Sequence, residues 1–204
     1  MAYIGNFPSS PGFSATNFKQ NTTTKRTVTQ SGRQVRATSS TTLWSGTLTF
    51  PVMSQAEFRP IQGFVALAQG PLNEFDVVIP IVSSSTSPNA GAATATVDGA
   101  HTAGDTTIAV NTNLGGAGNI LKAGDVIRFA NHTKVYMCTS DINTDGAGDA
   151  SINIQPALVE DLTDTEAVTL NNTPFRMILS NDLQEFNYRT DGLVSYEIDV
   201  EEVL

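Results

Sequence analysis

The residues that could carry catalysis are few and lack the neighbours that known catalytic motifs need. The chain has two histidines, His101 and His132, and one cysteine, Cys138. Ser–His–Asp or Cys–His chemistry would have to use one of them, and no nucleophile-elbow sequence is present. No paired carboxylates stand out from the acidic background, so glycoside hydrolysis has no positive support. We therefore predict no catalytic residue and no enzyme activity.

A nine-residue segment, residues 141–149, has the spacing of a calcium loop. Oxygen-bearing side chains stand at its positions one, three, five and nine, with glycine at position six. Position twelve, however, is Ile152, where a calcium loop needs a bidentate carboxylate, and no helices are expected to flank it. Asp, Asn and Gly are also the residues that a tight inter-strand turn needs. We predict a turn, with no metal and no bound cofactor.

The composition indicates a mainly β protein. Among 204 residues, Thr, Ser, Asn and Gly are abundant, whereas charged residues make up only 15%. No apolar run approaches the roughly 18 residues of a membrane span, and the N-terminus lacks the layout of a signal peptide. We expect a soluble protein that is made without an export signal and does not insert into membranes. The single cysteine excludes an internal disulfide framework.

Charge is distributed unevenly along the chain. Five basic residues and no acid precede Glu57, whereas seventeen acids and five basic residues follow from Ile81 onward. The net charge of −9 argues against general nucleic-acid affinity. The asymmetry suggests that the basic segment of one copy meets the acidic surface of another. An ordinarily solvated basic tail and acidic edge would give the same pattern.

The element that organises the first half is a strand, a helix and a second strand. Residues 42–50 alternate in polarity, with Trp44, Leu48 and Phe50 on one face. Ser54 and Glu57 form a capping-box pair before residues with helical spacing. Because Pro60 would disrupt a helix interior, we expect the regular helix to begin near Pro60, after an irregular lead-in over residues 54–59. Residues 74–80 return as a strand.

Two segments precede this unit. Residues 1–20 are rich in Pro, Gly, Ser and Asn, with spaced aromatics that include Phe7, Phe13 and Phe18. We expect an extended arm here, with the aromatics as anchors on a partner. Residues 27–38 alternate around a turn at Ser31 and Gly32, which predicts a hairpin.

Residues 95–170 read as a different kind of unit. Three Gly-Asp turns, at Gly104, Gly124 and Gly148, each lead into a short alternating strand. Together with strands over residues 134–140 and 166–170, they predict a compact barrel of five or six strands. The turn-rich stretch 83–93 would mark the boundary of this unit on its N-terminal side.

The C-terminal segment resumes the first unit. Strands are predicted over residues 175–179 and 183–188, and the last strand, residues 193–204, has an apolar face opposite Glu197, Asp199 and Glu201. Neither flanking half has a complete core of its own. The fold class that follows is a discontinuous β-sandwich with one short helix and an inserted small, OB-like β-barrel.

Two sets of residues resemble the distal tail (baseplate hub) proteins of long-tailed bacteriophages. The first set is residues 44–50, 54–57, 63–66, Gly70 and Phe75. The second is residues 123–129, 134–137, 154–158 and 166–168, which are similar to the small barrel module of phage tail and baseplate hub proteins.

The resemblance implies a virion structural protein that forms a homo-oligomeric ring, typically of six copies. It joins the tail tube protein to the baseplate hub proteins and is assembled in the host cytoplasm. The expected parts are an N-terminal arm (1–20), a ring-forming sandwich (21–90 with 174–204) and an inserted barrel (91–173). The predicted oligomer interface consists of Phe7, Phe13, Phe18, Arg33, Arg36, Glu197, Asp199 and Glu201.

Other functions fit parts of the same pattern. A tail terminator or head–tail connector ring is the alternative within the virion. A carbohydrate-binding β-sandwich is the alternative from another class, although the only tryptophan, Trp44, is expected in the core. A polysaccharide-degrading tail enzyme comes third because candidate carboxylates are lacking.

Overall fold

The computed structural model describes residues 1–204, except for the side chains of residues 39–41. The described chain is mainly β with one α-helix, and it contains a small closed barrel, as the sequence predicted. No described helix has the length and apolar character needed to cross a membrane.

The strands fall into a large sheet, a barrel and a small sheet. In chain order the elements are β1 (Tyr3–Asn6), β2 (Ala15–Val28), β3 (Gln34–Thr49), β4 (Met53–Ser54), α1 (Gln55–Ala68), β5 (Glu74–Val77), β6 (Ala95–Val97), β7 (Thr107–Thr112), β8 (Val126–Phe129), β9 (Val135–Cys138), β10 (Asp149–Gln155), β11 (Ala167–Thr169), β12 (Phe175–Leu179), β13 (Asn187–Tyr188), β14 (Leu193–Ser195) and β15 (Glu197–Glu202). A short 3₁₀ turn (Gly70–Leu72) follows α1.

The large sheet has six strands in the order β1-β5-β12-β15-β3-β2. Its inner face carries Trp44, Leu48 and Val200, all buried, because alternate residues of a strand point to the same side. This face packs against α1 and the small sheet β13-β14-β4 to form one apolar core. The strands come from both ends of the chain, so β15 pairs with β3 across about 150 residues of sequence.

The helix begins earlier than predicted. The Ser54 side chain accepts a hydrogen bond from the Glu57 N–H, and the Glu57 carboxylate accepts one from the Ser54 N–H at 2.9 Å, which completes the capping box. Pro60 lies inside the helix and not at its first position. The physical reason is that Phe58 and Ile61 are both fully buried, and helical residues before Pro60 are needed to turn Phe58 into the core.

The barrel closes in the order β10-β7-β6-β11-β8-β9 around its own apolar cluster. All three Gly-Asp turns lead into strands, and Gly104, Gly124 and Gly148 each have φ near +100°. Only glycine takes up such a backbone at little cost. The Asp125 carboxylate then accepts hydrogen bonds from the N–H groups of Lys122 and Thr86, which ties the incoming chain to the barrel.

The N-terminal segment, expected as an extended arm, is folded into the chain. β1 pairs in parallel with β5, and β2 begins at Ala15 and pairs with β3. Phe7 is buried, with its ring centroid 5.1 Å from that of Phe64 and 5.6 Å from that of Phe75. The aromatics of this segment therefore complete the chain's own core.

The barrel and the large sheet are in direct contact. Val126 and Val135, at the start of two barrel strands, belong to the apolar cluster of the sheet. Arg128 of β8 reaches the Asp76 carboxylate of β5 at 3.3 Å and donates to the Pro174 carbonyl at 2.9 Å. These contacts connect the two units in addition to the two chain crossings between them.

Candidate assembly surfaces

The hairpin of β2 and β3 projects beyond the sheet as a two-stranded ribbon. We call residues 21–38 the ribbon arm. Every residue of the arm is exposed, and the β2–β3 ladder continues through it to a turn at residues 29–33. A two-stranded ribbon without a core is at best marginally stable in water. The arm therefore gains little stability from packing against the rest of the described chain.

The ribbon arm carries four cations, which are Lys25, Arg26, Arg33 and Arg36. Within the described residues none of them forms an ion pair. Arg26 and Arg36 are directly opposite each other in the β2–β3 register. Like charges at opposed positions destabilise a strand pair, so this arrangement does not stabilise the ribbon arm itself.

An acidic ladder stands on the outer face of the last strand. We give this name to Glu197, Asp199 and Glu201, which alternate with buried residues along β15 and are all exposed. Their spacing is roughly 7 Å, the rise of two strand residues. Thr47 donates a hydrogen bond to Asp199 at 2.6 Å, and Thr49 donates one to Glu197 at 3.0 Å. These neutral partners fix the carboxylates without neutralising them.

The structure separates the eight predicted interface residues into two groups. Arg33 and Arg36 are exposed on the ribbon arm, and the acidic ladder is exposed on β15. Phe7, in contrast, is only 6% exposed, and Phe13 and Phe18 are partly buried against the same core. The Phe18 ring stacks on Trp44 at 5.2 Å, above Gly46, where a Cβ would stand 2.9 Å from a backbone oxygen. In this conformation Phe18 packs β2 onto the sheet, and Phe7 and Phe13 pack against Phe50 of the same core.

The histidines and the cysteine occupy structural positions in the barrel. His132 Nε2 lies 2.7 Å from the Tyr136 hydroxyl, and its Nδ1 lies 2.6 Å from Asn131 Oδ1. Burial lowers the pKa of His132 and raises the pKa of Cys138 to about 12, so the thiol stays protonated. The imidazole of His101 accepts a hydrogen bond from the Ala109 N–H at 3.1 Å.

The calcium-like segment folds as a turn that uses its own carboxylate. Asp145 Oδ1 accepts hydrogen bonds from the N–H groups of Ala147, Gly148 and Asp149, each at 2.9 Å. These bonds lower the pKa of Asp145. Nowhere in the described part of the chain do three His, Cys, Asp or Glu side chains converge in a way that could hold a metal ion.

Sequence reasoning missed the charged pair of Lys134 and Glu202, which is fully buried between barrel and sheet. A signal was present, because Glu202 has the parity of Ile198 and Val200 and so belongs to the apolar face of β15. An acid at such a position requires a buried partner.

Residues 86–173 match the family described as "Distal tail protein pb9, B domain", a segment that contains all six barrel strands. No curated protein sequence matches the chain. The match confirms the resemblance to phage distal tail proteins, and it supports a structural role in the phage tail.

Proposed function

From the premise of a phage distal tail protein, we propose that copies of this chain assemble into a closed, non-enzymatic ring, typically of six, at the distal end of the tail. The ring would connect the tail tube protein to the baseplate hub proteins after assembly in the host cytoplasm. In this proposal, residues 21–90 with 174–204 form the ring and the barrel is the inserted part. The observation that carries the proposal is the ribbon arm, whose cations have no ion-pair partner within the described chain.

The ribbon arm cannot reach the acidic ladder of its own chain. In the sheet register Lys19 pairs with Ser45, which pairs with Glu201. Arg26 is seven residues further along β2, which places it roughly 20 Å from this row in an extended strand. An ion pair needs about 4 Å. Arm and ladder are therefore free to meet only between copies.

Such a contact joins two different surfaces of the same chain. Heterologous contacts of this kind close into rings when the rotation between copies permits it. Surface ion pairs contribute only about 0–1 kcal/mol each, so the charges set orientation and register more than affinity. The exposed Val28 and Val35 of the arm would add apolar contact. The buried Trp44, 2% exposed, leaves no tryptophan on a surface for stacking on a sugar.

The test is a charge exchange between arm and ladder. We expect the wild-type protein to sediment as a ring, and a variant with Arg26→Glu and Arg36→Glu to sediment as smaller species. A second variant, with only Glu197→Lys and Glu201→Lys, should also sediment as species smaller than the ring. Combining all four substitutions in one chain should restore the ring. Arg59→Glu, an exposed cation on α1, is the charge-matched control and should leave assembly unchanged.

Two outcomes would contradict the proposal. One is a monomer for the wild-type chain at high concentration in the presence of its tail tube protein, which would favour a sugar-binding module. The other is full assembly of the arm variant, which would place the ring interface elsewhere. Trypsin gives an independent readout, because the arm's exposed Lys and Arg should be cleaved in monomers and protected in rings.

A further inference from the structure

The carboxylate of Glu202 lies where the last strand of the large sheet meets the barrel. Its Oε1 accepts a hydrogen bond from the Val135 N–H of the barrel at 3.0 Å. Its Oε2 accepts one from the Trp44 N–H of the sheet at 3.1 Å and one from the Lys134 ammonium. One side chain is thus bonded to both units.

The groups around Glu202 are shielded from water. The side chains of Lys134 and Glu202 are both 0% exposed, and the Lys134 ammonium lies 5.9 Å from the centroid of the Trp44 ring. The Trp44 indole N–H donates to the Val135 carbonyl at 3.1 Å, which adds a further direct bond from sheet to barrel. In this surrounding each hydrogen bond is strongly directional and each missing partner is costly.

We propose that this cluster is an orientation lock, which holds the barrel at one fixed angle on the large sheet so that the two units move as one rigid body. The inference does not depend on ring formation. Apolar contacts such as those of Val126 and Val135 hold the units together but tolerate rotation, because the hydrophobic effect has no direction. Hydrogen bonds from a single carboxylate to both units, in contrast, do not tolerate such rotation.

The lock also depends on the last strand. Glu202 is the final residue of β15, so its carboxylate is in place only when β15 is paired along β3 and β12. The orientation of the barrel is therefore set by completion of the sheet. At the other side of the junction, Arg128 of the barrel bonds the Asp76 carboxylate and the Pro174 carbonyl, and these contacts do not involve Glu202.

Glu202→Gln is the substitution that tests the orientation lock most directly. A carboxylate offers two acceptor oxygens, whereas an amide offers one oxygen and one NH₂ donor. Because Oε1 and Oε2 of Glu202 both receive N–H donors, either orientation of the new amide sets its NH₂ against another donor. The change keeps the size of the side chain, so it tests hydrogen bonding without opening a cavity.

The experiment measures the distance between spin labels on the two units. Arg59→Cys on α1 and Ser151→Cys on β10 are exposed labelling positions, whereas Cys138 is buried and stays unlabelled. Labelled chains are diluted with unlabelled protein so that each assembly carries one pair. We expect a single narrow distance distribution for the otherwise wild-type chain, and a broad or two-peaked distribution after Glu202→Gln.

Two local readouts accompany the distances. Trp44 is the only tryptophan, so its emission reports on the junction alone and should shift to longer wavelength in the variant. The N–H groups of Trp44 and Val135 should lose protection from hydrogen exchange, while barrel amides such as that of Ile152 keep theirs. Glu185→Gln, an exposed carboxylate outside both the junction and the acidic ladder, is the matched control and should change none of these.

Several results would overturn the lock. These are a broad distribution for the wild-type chain, or a folded Glu202→Gln variant that keeps the narrow distribution. If Glu202→Gln fails to fold, Lys134→Met removes the partner from the barrel side. Its distribution must then broaden, and a narrow one would also reject the proposal. Val65→Ala, which weakens the sheet core away from the junction, should lower stability without broadening.

Discussion

Strand β3 carries charge in two opposite settings along one run of backbone. At its outer end, in the ribbon arm, Arg36 is exposed and faces another arginine. Further along the same strand, Trp44 gives its N–H to a carboxylate that is paired with a fully buried lysine. The first setting leaves the charge without an ion-pair partner in the described chain, and the second pairs one buried charge with another.

The difference follows from the dielectric surroundings. Water around the ribbon arm weakens the repulsion between its cations to a level that the ribbon tolerates. In the junction the same charges would be prohibitive without partners, and burial indeed lowers the pKa of Lys134 and raises that of Glu202. In our proposals the exposed cations take part in recognition, whereas the buried pair fixes the geometry of the junction.

The largest expected effect is the loss of Glu202. We expect Glu202→Ala to lower the free energy of unfolding by about 3–5 kcal/mol, because it leaves the Lys134 ammonium buried without a partner. Glu201→Ala should stay within about 0.5 kcal/mol of the wild type. Urea denaturation followed by Trp44 emission and by far-ultraviolet circular dichroism measures both. A loss below about 1 kcal/mol for Glu202→Ala would remove the energetic basis of the comparison.

Replacing both charged residues should lower the free energy of unfolding less than removing one of them. In a chain with Lys134→Met and Glu202→Leu, no charge is left buried, so we expect much of the lost free energy of unfolding to return. The distance distribution should nevertheless stay broad, because apolar side chains do not restore the hydrogen bonds to Trp44 and Val135. A narrow distribution in this double variant would assign the fixed angle to packing alone.

The sequence predicted most of the elements for local reasons. The capping box of Ser54 and Glu57 and the Gly-Asp turns are read from a few adjacent residues. The predicted helix start near Pro60 is wrong. The unfavourable effect of a proline in a helix can be read from the sequence, whereas the burial of Phe58 cannot. The burial of Phe7 could not be predicted either, because the Pro- and Gly-rich residues next to it do not indicate that distant residues surround it in the fold.

The junction could not be predicted in full from local patterns. The parity of Glu202 marks it as buried, but its partner lies 68 residues away on another unit. Lys134 itself precedes a strand and reads as an ordinary surface lysine. Only the docking of barrel on sheet brings the two together. The ribbon arm was partly predictable, since the hairpin and its cations are local, but its projection beyond the sheet was not.

In the ribbon arm, stability and assembly should respond in opposite directions to one substitution. Arg36→Gln relieves the opposed Arg26–Arg36 pair, so we expect the monomer's free energy of unfolding to rise or stay unchanged, by about 0–1 kcal/mol. Assembly, measured by sedimentation, should weaken by about two- to fivefold and more so at low salt. A lower free energy of unfolding together with unchanged assembly would contradict this prediction.

The buried His132 should make the stability of the barrel depend on pH. Burial lowers the pKa of His132 in the folded chain, so the unfolded chain takes up protons first as the pH falls below about 6.5. The free energy of unfolding should therefore fall with pH, by up to about 1.4 kcal/mol per unit from this group. The measure is the difference in urea midpoints between the wild type and His132→Gln from pH ~7.5 to ~5. Parallel pH profiles would show that His132 contributes nothing.

The smallest expected effect tests an exposed carboxylate that already has partners. Unlike the cations of the ribbon arm, Asp145 is saturated by three N–H groups of its own turn, and Ile152 stands where a calcium loop has its bidentate ligand. Thermal unfolding with chelator and with millimolar calcium should therefore superimpose. A ligand that binds only the folded chain must raise the unfolding temperature. A rise of several degrees, abolished by Asp145→Asn and retained in Asp98→Asn, would show that this carboxylate serves a partner after all.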